Sequence, residues 1–108
     1  MTELFLNVSE LEAKEMFPGA TARILHARHI TIIYWDFEAG VRVPQHSHVN
    51  EQVLNVMEGT FELTVDGSMK RMEAGFAAVI PSDAPHSGRA VTACRLIDVF
   101  YPAREDLK

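Results

Sequence analysis

The feature that most constrains this chain is its punctuation. From Ala22 to Tyr101, short apolar runs recur every eight to twelve residues, and Gly, Pro or Asp closes most of them. Runs of that length and spacing are strands of a sandwich or barrel, because an amphipathic helix needs a longer stretch at a 3.6-residue period. The candidate strands are Ala22–Leu25, Ile30–Phe37, the run from Gln52 to Met57, Thr60–Val65, Ser68–Met72, Phe76–Ile80 and Ala93–Tyr101. Glu38-Ala39-Gly40, Glu58-Gly59 and Ala74-Gly75 mark turns, and Asp66-Gly67 is a two-residue hairpin signal. Ahead of the strands, Val8–Met16 is expected to form a short helix. Ser9 would be its N-cap, with Glu12 three residues on and Pro18-Gly19 as the stop.

Composition narrows the function classes. With 108 residues the chain is expected to be one domain, residues 1–108. A net charge of -5 argues against nucleic acid or an anionic membrane surface as partner. No apolar run approaches the about 18 residues of a membrane span. The opening MTELFLNVSELEAKE has no basic stretch ahead of an apolar core, so no secretory leader is expected. Cys94 stands alone and cannot close an internal disulfide, which makes the cytoplasm the default compartment. Set in an apolar run with no histidine nearby, it reads as a structural thiol.

Ile30–Phe37 is apolar on both faces: Ile30, Ile32 and Tyr34 share one parity, and Ile33, Trp35 and Phe37 the other. A strand of a single-layered barrel should meet water on one side, so the second face needs a cover. In so short a chain a second copy is the simplest one, and a homodimer is expected.

The chemistry gathers in Gly40–Gly59. His46, His48 and Gln52 share one parity, so an extended strand through them would project all three to the same side. Neutral imidazole is the commonest protein ligand for divalent transition metals, and the amide oxygen of Gln52 can join it. Glu51 has the wrong parity. His26 and His29, near Arg23 and Arg28, have no partner at ligand spacing and read as surface or strand-end residues.

The spacing of Gly40, His46, His48, Gln52 and Gly59, followed by Gly75, Pro81 and His86, resembles the two consensus motifs of the cupin superfamily. The resemblance implies an all-β double-stranded β-helix, the cupin jelly-roll barrel, here with the short N-terminal helical segment. It also implies one divalent transition metal (Ni, Fe, Zn, Mn or Co) held by His46, His48, Gln52 and His86. Three departures stand out: Gln52 where Glu is usual, Asp83 where Gly is frequent, and Ala90 where Asn is frequent. With Gln at position 52, the ion would keep its full double positive charge and polarise a bound oxygen more strongly than beside a carboxylate.

Asp98 is the other informative residue. It shares parity with Leu96 and Phe100 inside an apolar strand, where a carboxylate is costly unless it is paired or faces a polar cavity. Facing a metal site, it is a general acid/base candidate; the alternative is an ion pair with Arg89 or Arg95. Phe100 would wall the same cavity. Arg104 would grip a substrate carboxylate with its fork, or else be a solvated terminal charge.

The runs Pro81–Ala90 and Asp98–Asp106 resemble the small cupins of pectin and alginate breakdown, which convert 4,5-unsaturated uronates to linear keto forms. Tyr101 departs from the small residue common in such tails. The resemblance implies a small acidic sugar as substrate, with Asp98 catalytic and Phe100 and Arg104 binding. On that reading Asp98→Asn abolishes ring opening and leaves the metal bound. Two further readings stay open: a metal-dependent cupin dioxygenase, and a sugar- or metal-binding module without catalysis.

Overall fold

The computed structural model describes residues 4–108. Ten strands form two antiparallel sheets: β1 (Lys14–Phe17), β2 (Ala20–His26), β3 (Thr31–Phe37), β4 (Arg42–His46), β5 (Glu51–Glu58), β6 (Thr60–Val65), β7 (Ser68–Glu73), β8 (Ala77–Ile80), β9 (His86–Ala90) and β10 (Cys94–Tyr101). The six-stranded sheet runs β1-β2-β3-β10-β5-β8, and the four-stranded sheet β4-β9-β6-β7. The jelly-roll expectation holds.

Alternation sets the interior. Gln52, Leu54 and Val56 of β5 are buried, as are Phe61 and Leu63 of β6 and Leu96, Asp98 and Phe100 of β10, while their neighbours in sequence are less covered. Burying an aliphatic or aromatic side chain of this size contributes about 1.5–3 kcal/mol, so a one-residue slip in register would forfeit most of the core. Phe17, Trp35, Phe37 and Phe61 meet edge-on or tilted, with ring centroids 5.0–6.0 Å apart. Gly88 makes room for that cluster, because a Cβ there would run into ring carbons of Phe61.

The outer face of the six-stranded sheet carries an apolar row. Leu25, Ile32, Val99, Val53 and Val79 stand opposite one another across β2, β3, β10, β5 and β8. The first four are half-buried and Val79 is exposed.

Two expectations need correction, and one strand was not anticipated. The segment Val8–Met16 is not a helix: only Val8–Glu10 forms a 3-10 turn, and Lys14–Phe17 is a strand on the edge beside β2. Ser9 is not its cap; Asn7 is, its Oδ1 accepting from the Ser9 backbone N–H at 3.0 Å. The segment has no apolar stripe to bury as a helix, whereas pairing with β2 satisfies its backbone groups. Nor do His46, His48 and Gln52 lie on one strand: β4 ends at His46, His48 lies in the connection, and Gln52 is on β5 in the other sheet. Finally, the residues after His86 form a strand, β9, which the broken apolar pattern of Ser87-Gly88-Arg89 conceals.

Candidate metal centre

Two short connections bring the site together. Pro44 sits in β4, the edge strand of its sheet, where its missing N–H costs least, and the β4–β9 register shifts between Val43 and His46. β9 pairs His86 directly with His46. The loop before β9 is tied to the loop after β4: the Asp83 backbone N–H donates to His48 O at 2.8 Å, and Ser82 Oγ donates to Val49 O at 2.6 Å. Asp83 has φ +64°, a left-handed conformation that Asp adopts more readily than most residues and Gly adopts freely, which accounts for the exchange at this turn. The Asn50 side chain donates to Pro102 O at 2.6 Å, joining the His48 loop to the C-terminal segment.

The candidate ligand atoms of His46, His48 and His86 lie within 4.8 Å of one another. Each imidazole is oriented by a backbone carbonyl two residues away: Nδ1 of His46 faces Pro44 O at 2.8 Å, that of His48 faces Asn50 O at 2.9 Å, and that of His86 faces Ala84 O at 2.9 Å. A carbonyl can only accept, so Nδ1 carries the proton in each ring, and each Nε2 presents a lone pair. Outer partners of this kind are what orient metal-ligating histidines.

Gln52 completes the set. Its Nε2 donates to Asp98 Oδ1 at 2.8 Å, which turns its Oε1 toward His48 Nε2, 3.1 Å away. Two acceptors face each other there and call for an electropositive centre between them. Among the described residues, His86 Nε2 is the one buried side-chain nitrogen or oxygen without a hydrogen-bond partner. An orphaned buried acceptor is costly unless a ligand meets it. Three imidazole nitrogens and an amide oxygen therefore fit a divalent cation of the transition series. Burial, the leading influence on both, pushes His48 and His86 below the ordinary imidazole pKa and keeps them in the neutral form that binds metal. His46 is exposed while Gln52 and His86 are buried, so the cluster opens on the His46 side.

Beside the cluster lies a cavity of about 300 Å³, whose wall includes His46, Gln52, His86, Asp98, Phe100 and Arg104. Asp98 is buried and makes no ion pair with Arg89 or Arg95. Arg89 bonds Glu62, and Arg95 bonds Asp36. Instead Asp98 Oδ2 accepts from Trp35 Nε1 at 3.0 Å, while Oδ1 accepts from Gln52. Burial raises its pKa to about 6, against the opposing pull of those two hydrogen bonds. Arg104 is not a free terminal charge. Its guanidinium lies 4.8 Å from the Phe100 ring centre and forks onto Asp106 at 3.0 and 2.9 Å. Phe100 in turn stands 5.5 Å from the His48 ring.

Trp35, Asn50 and Asp106 were not singled out from the sequence. Trp35 shares parity with the buried Ile33 and Phe37, but nothing in one strand names a carboxylate partner in another. His26 and His29 lie outside the cluster: His26 Nδ1 contacts Thr31 Oγ1 at 3.1 Å, and His29 is exposed. Cys94 is buried, and burial raises its thiol pKa, as expected of a structural residue. Among the described residues, no helix is long and apolar enough to cross a membrane.

Residues 33–100 match the family model of the cupin domain. The chain belongs to the cupin family. This cupin is similar in structure to an RmlC-like cupin from Shewanella frigidimarina, at 30% identity and TM-score 0.93, over 99% of this chain and 97% of that one. It is similar also to KdgF from Halomonas sp., at 27% identity and TM-score 0.92, over 99% of this chain and all of that one (100%). Salicylate 1,2-dioxygenase from Pseudoaminobacter salicylatoxidans shares the fold at 22% identity and TM-score 0.77, over 81% of this chain and 26% of that one. A comparison with curated proteins finds no match.

Proposed function

We propose that this cupin is a metal-dependent, non-redox enzyme that opens a cyclic 4,5-unsaturated uronate, or a closely related small acidic sugar, to its linear keto form. The observation that carries the reading is the meeting, beside one cavity, of three converging imidazoles with the Gln52 amide oxygen next to one of them, a buried carboxylate and an arginine fork that fits a carboxylate. Its support also includes the sequence resemblance to the uronate-linearising cupins and the full-length similarity to KdgF.

His46, His48, Gln52 and His86 would hold the metal, which supplies Lewis-acid polarisation of a substrate oxygen. Arg104 binds the uronate carboxylate with the two-pronged geometry that it now gives Asp106, and Phe100 holds the guanidinium over its ring at the cavity wall. Asp98 moves the proton. Each of its oxygens accepts one hydrogen bond and keeps a second lone pair, so one can take the proton of the anomeric hydroxyl as its C–O bond becomes a carbonyl and the ring C–O bond breaks to leave an enolate. The same oxygen then returns a proton to the enol carbon as the ketone forms. No electrons are transferred, and no oxygen is consumed.

The test combines elemental analysis with an absorbance assay on unsaturated uronates. Metal-loaded protein is expected to remove the conjugated absorbance without oxygen uptake, with the linear keto product visible by NMR. Turnover that requires oxygen would favour a dioxygenase, and uptake of the sugar with no product would favour a binding module. A metal-free preparation that still consumes the sugar would refute the reading.

A second copy of the chain, covering the row Leu25, Ile32, Val99, Val53 and Val79, belongs to the same proposal. Light scattering is expected to give two chain masses for the wild type and one for Val99→Lys. A wild type that stays monomeric at high concentration would remove the dimer.

A further inference from the structure

We propose that Asp98, itself held by Trp35, is a positioning residue that fixes which end of the Gln52 amide faces the metal, and that this is why position 52 carries Gln. The inference rests on the metal site proposed above and is independent of the sugar.

The chain of donors and acceptors has only one sense. Trp35 Nε1 can only donate, and it donates to Asp98 Oδ2. An ionised carboxylate can only accept, so Asp98 Oδ1 requires a donor opposite, and the Gln52 NH₂ group is that donor at 2.8 Å. The amide is thereby turned with its oxygen on the side of His48 Nε2, 3.1 Å away. Reversing it would set oxygen against carboxylate and point two N–H groups at the imidazole cluster. Gln52 and Asp98 are both buried, so either mismatch would be costly. A Glu at position 52, usual in the cupin motif, would place a second carboxylate against Asp98. The amide resolves both demands at once, donating on one side and presenting a lone pair on the other.

Asp98→Asn is therefore expected to disturb the metal, contrary to the simpler expectation that it stays bound as before. In that variant the new amide oxygen at position 98 accepts from Trp35, the new NH₂ faces Gln52, and the Gln52 amide turns its own NH₂ toward the metal. An outer partner of a metal ligand is typically worth ~10–100-fold in affinity, and a loss of that size is expected here. Gln52→Glu alone sets carboxylate against carboxylate and should also weaken binding. The exchange Gln52→Glu/Asp98→Asn rebuilds every hydrogen bond. Trp35 donates to the amide oxygen now at position 98, and the NH₂ of that amide donates to the carboxylate now at position 52. The second oxygen of that carboxylate faces the metal.

The test is a chelator-competition titration with Ni²⁺ and with Zn²⁺ on the wild type, both single variants and the double variant, alongside thermal unfolding of the metal-free forms. The expected result is ~10–100-fold loss in each single variant and recovery in the double to within ~10-fold of the wild type. A general loss of packing would accumulate in the double variant and would not be rescued. Wild-type affinity in Asp98→Asn, or a double variant as weak as the two single effects combined, would overturn the proposal. If Asp98→Asn fails to fold, Gln52→Glu against the double variant makes the same comparison. A wild type that binds neither ion would instead overturn the metal reading itself, and this proposal with it. Activity separates the two roles of Asp98: the double variant recovers metal but lacks a carboxylate at position 98, so uronate turnover should stay low.

Discussion

His86→Ala is expected to leave a folded protein that no longer retains a divalent metal. His86 contributes the most deeply buried of the candidate ligand nitrogens, and its Nε2 has no hydrogen-bond partner within the protein. Truncation removes the hydrogen bond to Ala84 O, worth about 1 kcal/mol, and also removes the orphaned acceptor, whose burial costs about 1–3 kcal/mol. These terms oppose each other, and the cavity left by the buried ring adds a further cost, so the metal-free stability should fall by about 1–3 kcal/mol. Affinity should fall by more than the ~10–100-fold that loss of an outer partner typically costs. Thermal unfolding with and without Ni²⁺ measures both quantities. At a metal concentration of about 100 Kd the wild type gains about 2.7 kcal/mol, and the variant should gain less than about 0.4 kcal/mol under the same conditions. His26→Ala, outside the cluster, should keep the full metal-dependent shift. Retention of one equivalent of metal by His86→Ala would remove His86 from the site.

The second large effect concerns Asp98 and pH in the metal-stripped protein. The folded-state pKa of Asp98 is raised from 3.8 to about 6, chiefly by burial. Between those values the unfolded chain has released this proton and the folded protein has kept it, so stability falls as pH rises. The full difference amounts to about 3 kcal/mol, reached by about pH 7 and constant above it. Glu62, held low by its hydrogen bonds to Arg89 and Arg71, acts in the opposite sense: its contribution is lost as pH falls through its folded pKa. The informative quantity is therefore the difference between the wild type and Asp98→Asn, which cancels Glu62. That difference should shift against the wild type by about 3 kcal/mol between about pH 3 and pH 7 in chemical denaturation. Parallel curves would show that Asp98 ionises in the fold as easily as in the unfolded chain.

Much of this architecture was legible in the residues because alternation is local. Leu54 and Val56 on β5, and Leu96, Asp98 and Phe100 on β10, point inward as their parity demands, since successive side chains of a strand leave by opposite faces. The turns at Gly40, Gly59, Gly67 and Gly75 take the positive φ that glycine permits at little cost. Parity misled where the chain was not one strand. His46, His48 and Gln52 converge because the chain crosses from one sheet to the other between them, and shared spacing within an extended run has no part in it. Lys14–Phe17 carries residues that suit a helix, and only the neighbouring β2 makes it a strand.

Short β-strands, the two cupin motifs and the three histidines that cluster could be read directly, because spacing, turn chemistry and donor type are all written along the chain. What those residues face follows from the fold. Trp35 and Asp98 are 63 positions apart and Gln52 and Asp98 are 46 apart, joined by pairings across β3, β10 and β5. The direction of a hydrogen bond depends on which group stands opposite. That is settled by strand register and loop closure, and neither can be read from one segment alone.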